Sequence, residues 1–376
     1  RIPYLFVGSL VAVLVMCLLP NAGSFGMAVS TAMIFGLVSL MFLDTSINMA
    51  MQPFKMMVGD MVNEKQKGLA YSIQSFLCNA GSLVGFLFPF IFTWIGISNI
   101  APQGVVPDSV IYSFYIGAAI LILCVIYTTV KVKEMPPAEY AEYHGITEEE
   151  KKEKINMVKL LVKAPKAFWT VGLVQFFCWF AFMFMWTYTN GSVAANVFDA
   201  PTVETVVNGA SKVVLDTKSI QYQNAADWVG VLFAVQAIGS VLWAVCIPMF
   251  KNRKLIYSLS LVLGGIGFIS TYFVHNQYVL FISFLLIGCA WAAMLALPFT
   301  ILTNALSGGH MGTYLGLFNG TICIPQIVAA TLGGSILALF TPKGMLPPEI
   351  NMLVMAGVML IIGAVCVYLI KETKGE

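Results

Sequence analysis

An acidic residue inside a long apolar segment is the most chemically suggestive feature of this sequence. Asp44 lies in the apolar run 27–51, and counting about 1.5 Å per residue from Met27 puts it roughly 26 Å along a helix. An ionisable group at such a depth is costly and points to a function. Because burial disfavours the anion, a carboxyl there can load and release a proton as its surroundings alternate between wet and dry. The alternative is a permanently protonated Asp44 that is hydrogen-bonded to a neighbouring helix.

Two further polar residues follow Asp44 on the same expected helix face. Asn48 is four residues on, where it can hold the carboxyl or a substrate hydroxyl, or simply bond to another helix. Lys55 is eleven residues on, about 16 Å along the axis, which is too far for a direct ion pair. Pro53 precedes it and is expected to break the helix. We interpret Lys55 as a cytoplasmic gate or coupling residue, with snorkelling to the headgroups as the alternative.

A second group of candidates combines an amide with aromatic rings. Gln175, Trp179 and Trp186 recur at intervals of four and seven residues, so one helix face carries an amide and two indoles. Amides match sugar hydroxyls and indoles cover sugar C–H faces, although packing is the commoner role for any single residue. The remaining substrate-binding candidates lie in or beside other apolar runs: Asp227, Gln236, Trp291 and Asn319. Asp227 can equally be a helix-start carboxylate favoured by the dipole.

Composition indicates what kind of element must position these residues. Of the 376 residues, 59% are hydrophobic and 10% are charged, whereas a soluble domain has about a quarter charged. This excludes a soluble enzyme, a disordered chain and a nucleic-acid-binding module, and a net charge of +2 calls for no polyanionic partner. The eight cysteines lie in apolar runs without paired spacing. We therefore predict no disulfide framework, no metal site and no cofactor.

Ten apolar runs are long enough to cross a bilayer as helices, which takes roughly 20 residues. They are too long and too uniformly apolar for the alternating strands of a transmembrane barrel. The sequence therefore predicts an all-α polytopic membrane protein. The runs are 4–20, 27–51, 70–97, 110–130, 167–189, 228–250, 255–274, 278–304, 313–341 and 350–370.

Basic residues are divided very unequally between the two sides of the membrane. When the connections are assigned alternately, all but three of the 20 Lys and Arg residues fall on one side, the exceptions being Lys212, Lys218 and Lys343. Because Lys and Arg are enriched in cytoplasmic loops, we place that side and both termini in the cytoplasm, in an inner or plasma membrane. We expect 52–69 to be a cytoplasmic loop and 191–226 to be a long external loop.

The charged stretch 132–166 separates four apolar runs from six. We expect it to be a cytoplasmic linker with one short amphipathic helix at 158–162 that lies on the membrane surface. This leaves an N-terminal bundle over 1–131 and a C-terminal six-helix bundle over 167–376. Because transporters commonly consist of two related halves, the four-plus-six arrangement suggests that two N-terminal spans are missing from this chain.

Four segments resemble the sucrose–proton symporter family. The segment 44–60, with the pattern D-x3-N-x4-P-x-K-x4-D, is similar to that family's pattern of Asp, Asn, Pro, Arg and Asp. The segment 291–299 (W-A-x2-L-A-x-P-F) resembles its tenth helix, and 312–326 (G-x3-G-x2-N-x5-P-Q) resembles its eleventh. Residues 1–4 resemble the end of the loop between its second and third helices.

The resemblance implies the major facilitator superfamily fold, with ten of its twelve transmembrane helices present and helices three to six forming the N-terminal bundle. It also implies import of a disaccharide such as sucrose or maltose together with a proton, so the expected partners are a small sugar, a proton and the lipid bilayer. Asp44 then matches the family's proton-binding aspartate. Lys55 matches its essential arginine but lacks the bidentate fork. Asp227 corresponds to an acid of the eighth helix, without the arginine that accompanies it in the family.

Other functions stay open at this point. An uncoupled facilitator, a sodium-coupled glycoside symporter and a drug exporter share the same fold. From a different class, an integral membrane enzyme would need a convergent set of ionisable groups, which one membrane aspartate does not provide. The sequence therefore predicts a transporter and not an enzyme, without naming its sugar.

Overall fold

The computed structural model of this chain contains two compact helical units, Arg1–Lys154 and Ile155–Glu376. Among the residues that the structure describes, ten helical segments are long and apolar enough to cross a membrane, which confirms the predicted all-α membrane architecture. The residues that the structure describes are 2–26, 29–61, 64–99, 105–134, 136, 139, 157–207, 210–250, 252–305, 311–342 and 344–370.

The described residues of the first unit form four long helices. They are α1 (Ile2–Leu18), α2 (Val29–Met61), α3 (Glu64–Trp94) and α4 (Asp108–Lys131), and a short 3-10 helix (Leu19–Phe25) follows α1. Helix α1 packs against α2 and α4. Few of the unit's side chains are buried, and many apolar ones are exposed, as expected for helices that are solvated by lipid rather than by water.

Close packing in this unit is concentrated between α1 and α2. Gly8 lies against α2, where a Cβ would come 3.1 Å from the Cβ of Ala50. Leu5, Ala50, Met57 and Val125 form a small buried cluster that joins α1, α2 and α4. This contact determines which face of α2 is covered by protein.

The predicted loop 52–69 is wrong for most of its length. Helix α2 continues through Pro53 to Met61, and α3 begins at Glu64. The apolar run marks the part of a helix that lies in hydrocarbon, but Lys, Gln, Glu and Met are good helix formers and extend the helix beyond it. A proline inside a helix removes one backbone hydrogen bond, and here the helix continues past it.

The second unit contains eight helices and one hairpin within the described residues. The helices are α5 (Met157–Val162), α6 (Lys166–Asn196), α7 (Ile220–Cys246), α8 (Arg253–Ser270), α9 (Leu280–Ala305), α10 (Met311–Phe318), α11 (Gly320–Phe340) and α12 (Ile350–Cys366). Short 3-10 turns follow at Ile247–Met249 and Val367–Leu369. Helix α6 is the most buried, since it contacts α7, α9, α11 and α12.

Glycines let the helices of the second unit approach closely. A Cβ on Gly288 of α9 would come within 2.7 Å of the Ser240 backbone nitrogen of α7. Between α8 and α12, a Cβ on Gly357 would come within 2.7 Å of the Gly265 carbonyl oxygen. Small residues at helix crossings are the usual basis of tight association in membranes, where burial of apolar surface gives little driving force.

The predicted loop 191–226 is also partly wrong. Helix α6 runs on to Asn196, and an antiparallel hairpin follows, formed by β1 (Thr202–Val207) and β2 (Ala210–Leu215). Val and Thr make up five of the six residues of β1, and β2 contains two Val, in keeping with the preference of β-branched residues for extended backbone. Residues 220–226 belong to α7, which begins at Ile220, and the rest of the segment is irregular within the described residues.

The linker prediction falls largely outside the described residues, which leave out 140–156. The short helix expected at 158–162 is present as α5. The apolar run 313–341 is divided into α10 and α11, with Asn319 at the joint between them.

Candidate substrate and proton sites

Three tryptophans meet in the second unit. The ring centroids of Trp179 and Trp186, seven residues apart on α6, are 6.4 Å apart. Trp291 of α9 completes the triangle edge-on, 5.8 Å from Trp179 and 5.9 Å from Trp186. Trp179 is buried, Trp291 is half-buried and Trp186 is 41% exposed. We call these three residues the tryptophan cluster.

Two buried hydrogen-bond donors at this cluster lack acceptors among the described residues. They are Trp179 Nε1 and Gln175 Nε2, one helical turn apart on α6. The Gln175 side chain is fully buried, and its Oε1 accepts a long hydrogen bond of 3.4 Å from the Tyr257 hydroxyl. An unsatisfied buried donor costs about 1–3 kcal/mol, so these two N–H groups would be stabilised by an acceptor that the described residues do not supply.

Two other tryptophans of the same unit have hydrogen-bond acceptors. Trp228 Nε1 donates to the Gln277 carbonyl at 3.1 Å, and Trp243 Nε1 donates to the Ser260 hydroxyl at 2.8 Å. The buried indole N–H of Trp179 differs from these two, because it has no acceptor among the described residues.

Asp44 and Asn48 of the first unit interact directly. The Asn48 amide donates to the Asp44 backbone carbonyl at 2.9 Å and to its Oδ1 at 3.2 Å. Because α2 is continuous through Pro53, Lys55 belongs to the same helix, and eleven residues at 100° each return to the face of Asp44. The Lys55 side chain lies outside the described residues.

The expectation that the Asp44 side chain is buried between neighbouring helices is wrong in this structure, because the side chain is exposed. The reason is the packing of α2 on α1, which buries Ser46 and Ala50. Positions 44 and 46 are about 200° apart around a helix, so covering Ser46 leaves Asp44 on the other side. The partner that Asp44 has in the described residues is Asn48, on its own helix.

Comparison with known proteins gives matches in structure. No protein-family model and no curated protein sequence matches the chain. A D-xylose–proton symporter matches at a TM-score of 0.69 and 14% identity, over 100% of this chain and 82% of that one. The inward-open xylose transporter XylE from E. coli matches at 0.63 and 12%, over 100% and 81%. The nucleoside transporter NupG matches at 0.57 and 13%, over 98% and 87%.

This chain has the major facilitator fold. The matched structures are membrane transporters, and what they share with this chain is this fold. Together with the ten apolar helices it makes the chain an integral membrane protein. At these identities the likeness establishes the fold and leaves the substrate open.

Within this fold, the other predicted site residues are dispersed. Asp227 lies two turns inside α7, which begins at Ile220 and is capped by the Ser219 hydroxyl, so its interpretation as a helix-start carboxylate is wrong. Gln236 is buried on α7, and Asn319 is half-buried at the joint of α10 and α11. Neither of these two amides shares a hydrogen bond with the tryptophan cluster in the part of the chain that the structure describes.

Two polar residues were missed by the sequence reasoning. Tyr257 is fully buried next to Gln175, and nothing in its apolar run distinguishes it from a packing residue. Glu349 was overlooked because it lies just outside the last run, after Pro347 and Pro348. Burial raises the pKa of the Glu349 carboxyl from 4.5 to about 7, because desolvation disfavours the anion.

Proposed function

We propose that this chain is a secondary active transporter that imports a disaccharide, such as sucrose, maltose or a similar glucoside, together with a proton by alternating access. The observation that carries the sugar assignment is the tryptophan cluster together with two buried donors, Trp179 Nε1 and Gln175 Nε2, which lack acceptors among the described residues. The fold it shares with a D-xylose–proton symporter supports a sugar and a proton as the transported pair.

A sugar supplies what the tryptophan cluster lacks. Its hydroxyl oxygens accept hydrogen bonds from the two donors, and its C–H faces stack on the indoles. Both donors are covered in this structure, so the sugar approaches past Trp186, the exposed member of the cluster. As the site closes on the sugar, further contacts come from the remaining substrate-binding candidates, which are Gln236, Trp291, Asn319 and Asp227.

Asp44 is the proposed proton acceptor. It is an acidic side chain within the apolar segment Ser30–Met51, where an ionisable group points to a function, and its Oδ1 accepts a hydrogen bond from the Asn48 amide. Lys55, on the same face of α2, is the proposed gate or coupling cation. The excess of Lys and Arg on one side of the membrane supports an inner or plasma membrane location with both termini in the cytoplasm.

The function is tested with the purified protein in sealed lipid vesicles. Uptake of radiolabelled disaccharides is measured at two external pH values, with and without a protonophore. One proton per sugar and a gradient of one pH unit correspond to accumulation of about tenfold, which the protonophore abolishes. Equal uptake with and without the gradient would identify an uncoupled facilitator, and dependence on sodium instead would identify a sodium symporter.

Asp44→Asn separates coupling from binding. We expect it to abolish accumulation against a gradient while exchange of sugar across the membrane continues, because Asn keeps the size of Asp but carries no titratable proton. Asp108→Asn is the matched control, since Asp108 is an exposed carboxylate in the first turn of α4. Unchanged accumulation in Asp44→Asn refutes the role of Asp44 as proton acceptor.

A further inference from the structure

Glu349 is an acidic side chain that the proposed transport cycle does not use. It occupies the N-cap position of α12 without a side-chain capping hydrogen bond, directly before the membrane-spanning segment Ile350–Leu369, and its side chain is half-buried. The carboxylate lies against α6 at Gly191, where a Cβ would overlap it. Glycine thus leaves a notch in the surface of α6 that is filled by the carboxyl group of Glu349.

The surroundings of the notch offer no positive charge within the described residues. The titratable groups that face the carboxylate are Tyr188 of α6 and Tyr222 of α7. The Tyr222 hydroxyl already accepts a hydrogen bond of 2.9 Å from the Asn190 amide. Lys343, on the connection that leads to α12, lies outside the described residues. An ionised Glu349 in the notch therefore faces neutral phenols.

Desolvation outweighs the effect of the helix terminus here. The N-terminus of a helix favours a negative charge by some tenths of a kcal/mol. Burial nevertheless raises the pKa of Glu349 to about 7. Relative to an ordinary glutamate at 4.5, this corresponds to a preference of about 300-fold for the neutral carboxyl in the notch.

We propose that Glu349 is a proton-binding site separate from Asp44, in which a proton from the adjacent aqueous phase neutralises the carboxyl and lets it occupy the Gly191 notch. The neutral carboxyl holds the start of α12 against α6, the helix that also carries Trp179 and Trp186. Loss of the proton releases that contact. The proposal does not depend on the identity of the transported substrate.

The pH dependence follows from linkage. Between pH 4.5 and about 7, the docked carboxyl binds a proton while an undocked, exposed one does not. Docking therefore weakens as pH rises through this window, by up to about 300-fold. Above the window both forms are ionised and the docking equilibrium no longer depends on this group.

The experiment follows the carboxyl itself. The full chain in lipid nanodiscs is titrated while the infrared carbonyl band of protonated carboxylic acids is recorded. In the wild type, we expect a component that disappears with a midpoint near pH 7. Glu349→Gln removes this component and keeps the shape of the side chain. Gly191→Ala fills the notch, so the titration midpoint of the component should fall to the pH range of an exposed glutamate.

Gly334→Ala serves as the glycine control, since no atom lies within 4 Å of a Cβ there, and it should leave the titration unchanged. The titration is repeated in Asp44→Asn, where we expect the component to persist. A component near pH 7 that survives Glu349→Gln, or that is absent from the wild type, overturns the proposal. If Gly191→Ala does not fold, the docking role is decided by measuring the unfolding temperature of Glu349→Gln as a function of pH. We expect the unfolding temperature of the wild type to decline between pH 5 and about 7, and that of Glu349→Gln to show no such decline.

Discussion

Replacing Trp179 by Phe tests whether the unpaired indole N–H at the tryptophan cluster binds substrate. Phe retains an aromatic ring against Trp186 and Trp291 but removes the donor. Because that donor is buried without an acceptor among the described residues, its loss should cost the empty protein little. Its loss should cost the sugar-bound protein one buried hydrogen bond.

The expected effects on stability and on sugar affinity differ in size. An unsatisfied buried donor costs about 1–3 kcal/mol, so removing it offsets the packing lost with the smaller ring, and the unfolding free energy stays within about 1 kcal/mol of wild type. For the sugar complex, the lost hydrogen bond is also worth about 1–3 kcal/mol. This corresponds to sugar affinity that is weaker by roughly 5- to 150-fold.

Trp243→Phe is the matched control. Its indole N–H donates to the Ser260 hydroxyl at 2.8 Å, so the substitution breaks a satisfied bond between α7 and α8. We expect it to lower stability by about 0.5–1.5 kcal/mol and to leave sugar affinity unchanged.

The assay pairs thermal unfolding with equilibrium binding of a labelled disaccharide to the purified protein. The opposite pattern in Trp179→Phe, with stability clearly reduced and affinity retained, would show that the indole N–H is a structural group. In that case the assignment of the tryptophan cluster to sugar would be refuted.

Two further predictions concern helix packing and coupling. Gly288→Ala should destabilise the protein by about 1–3 kcal/mol or more and lower its unfolding temperature, because the new Cβ would meet backbone atoms of α7, among them the Ser240 nitrogen at 2.7 Å. Gly334→Ala is the control and should not destabilise the protein, since there is open space around its Cβ. Equal destabilisation by the two substitutions would contradict the packing argument. Lys55→Arg should retain proton-driven uptake and Lys55→Gln should abolish it, because a coupling cation needs charge rather than a particular shape; full activity in Lys55→Gln would leave Lys55 without a coupling role.

Sequence reasoning located the membrane spans better than their ends. Each apolar run reports a length of helix in hydrocarbon, and that requirement is local. The ends depend on helix propensity beyond the membrane, as the continuation of α2 from Met51 to Met61 shows. The hairpin at 202–215 was missed because a polar segment was interpreted as loop, although its Val and Thr content favours strands.

The candidate site was also predicted only in part. The spacing of Trp179 and Trp186 placed both indoles on one face of a helix, because helical geometry is determined within a single segment. The position of Trp291 on α9, with its ring centroid 5.8 Å from that of Trp179, was not predictable from sequence. It depends on how closely the glycine-lined helices α7, α8 and α9 pack.

The sequence by itself determined that this chain crosses the membrane as helices and that Asp44 lies within one of them, because the hydrophobic effect and backbone hydrogen bonding act on each segment separately. Tertiary structure decided three other properties of the described residues: which side of α2 is covered, which buried indole lacks an acceptor there, and which glutamate fills a glycine notch. Those properties belong to contacts between helices, where a single Cβ decides whether two backbones, or a backbone and a carboxyl group, can meet.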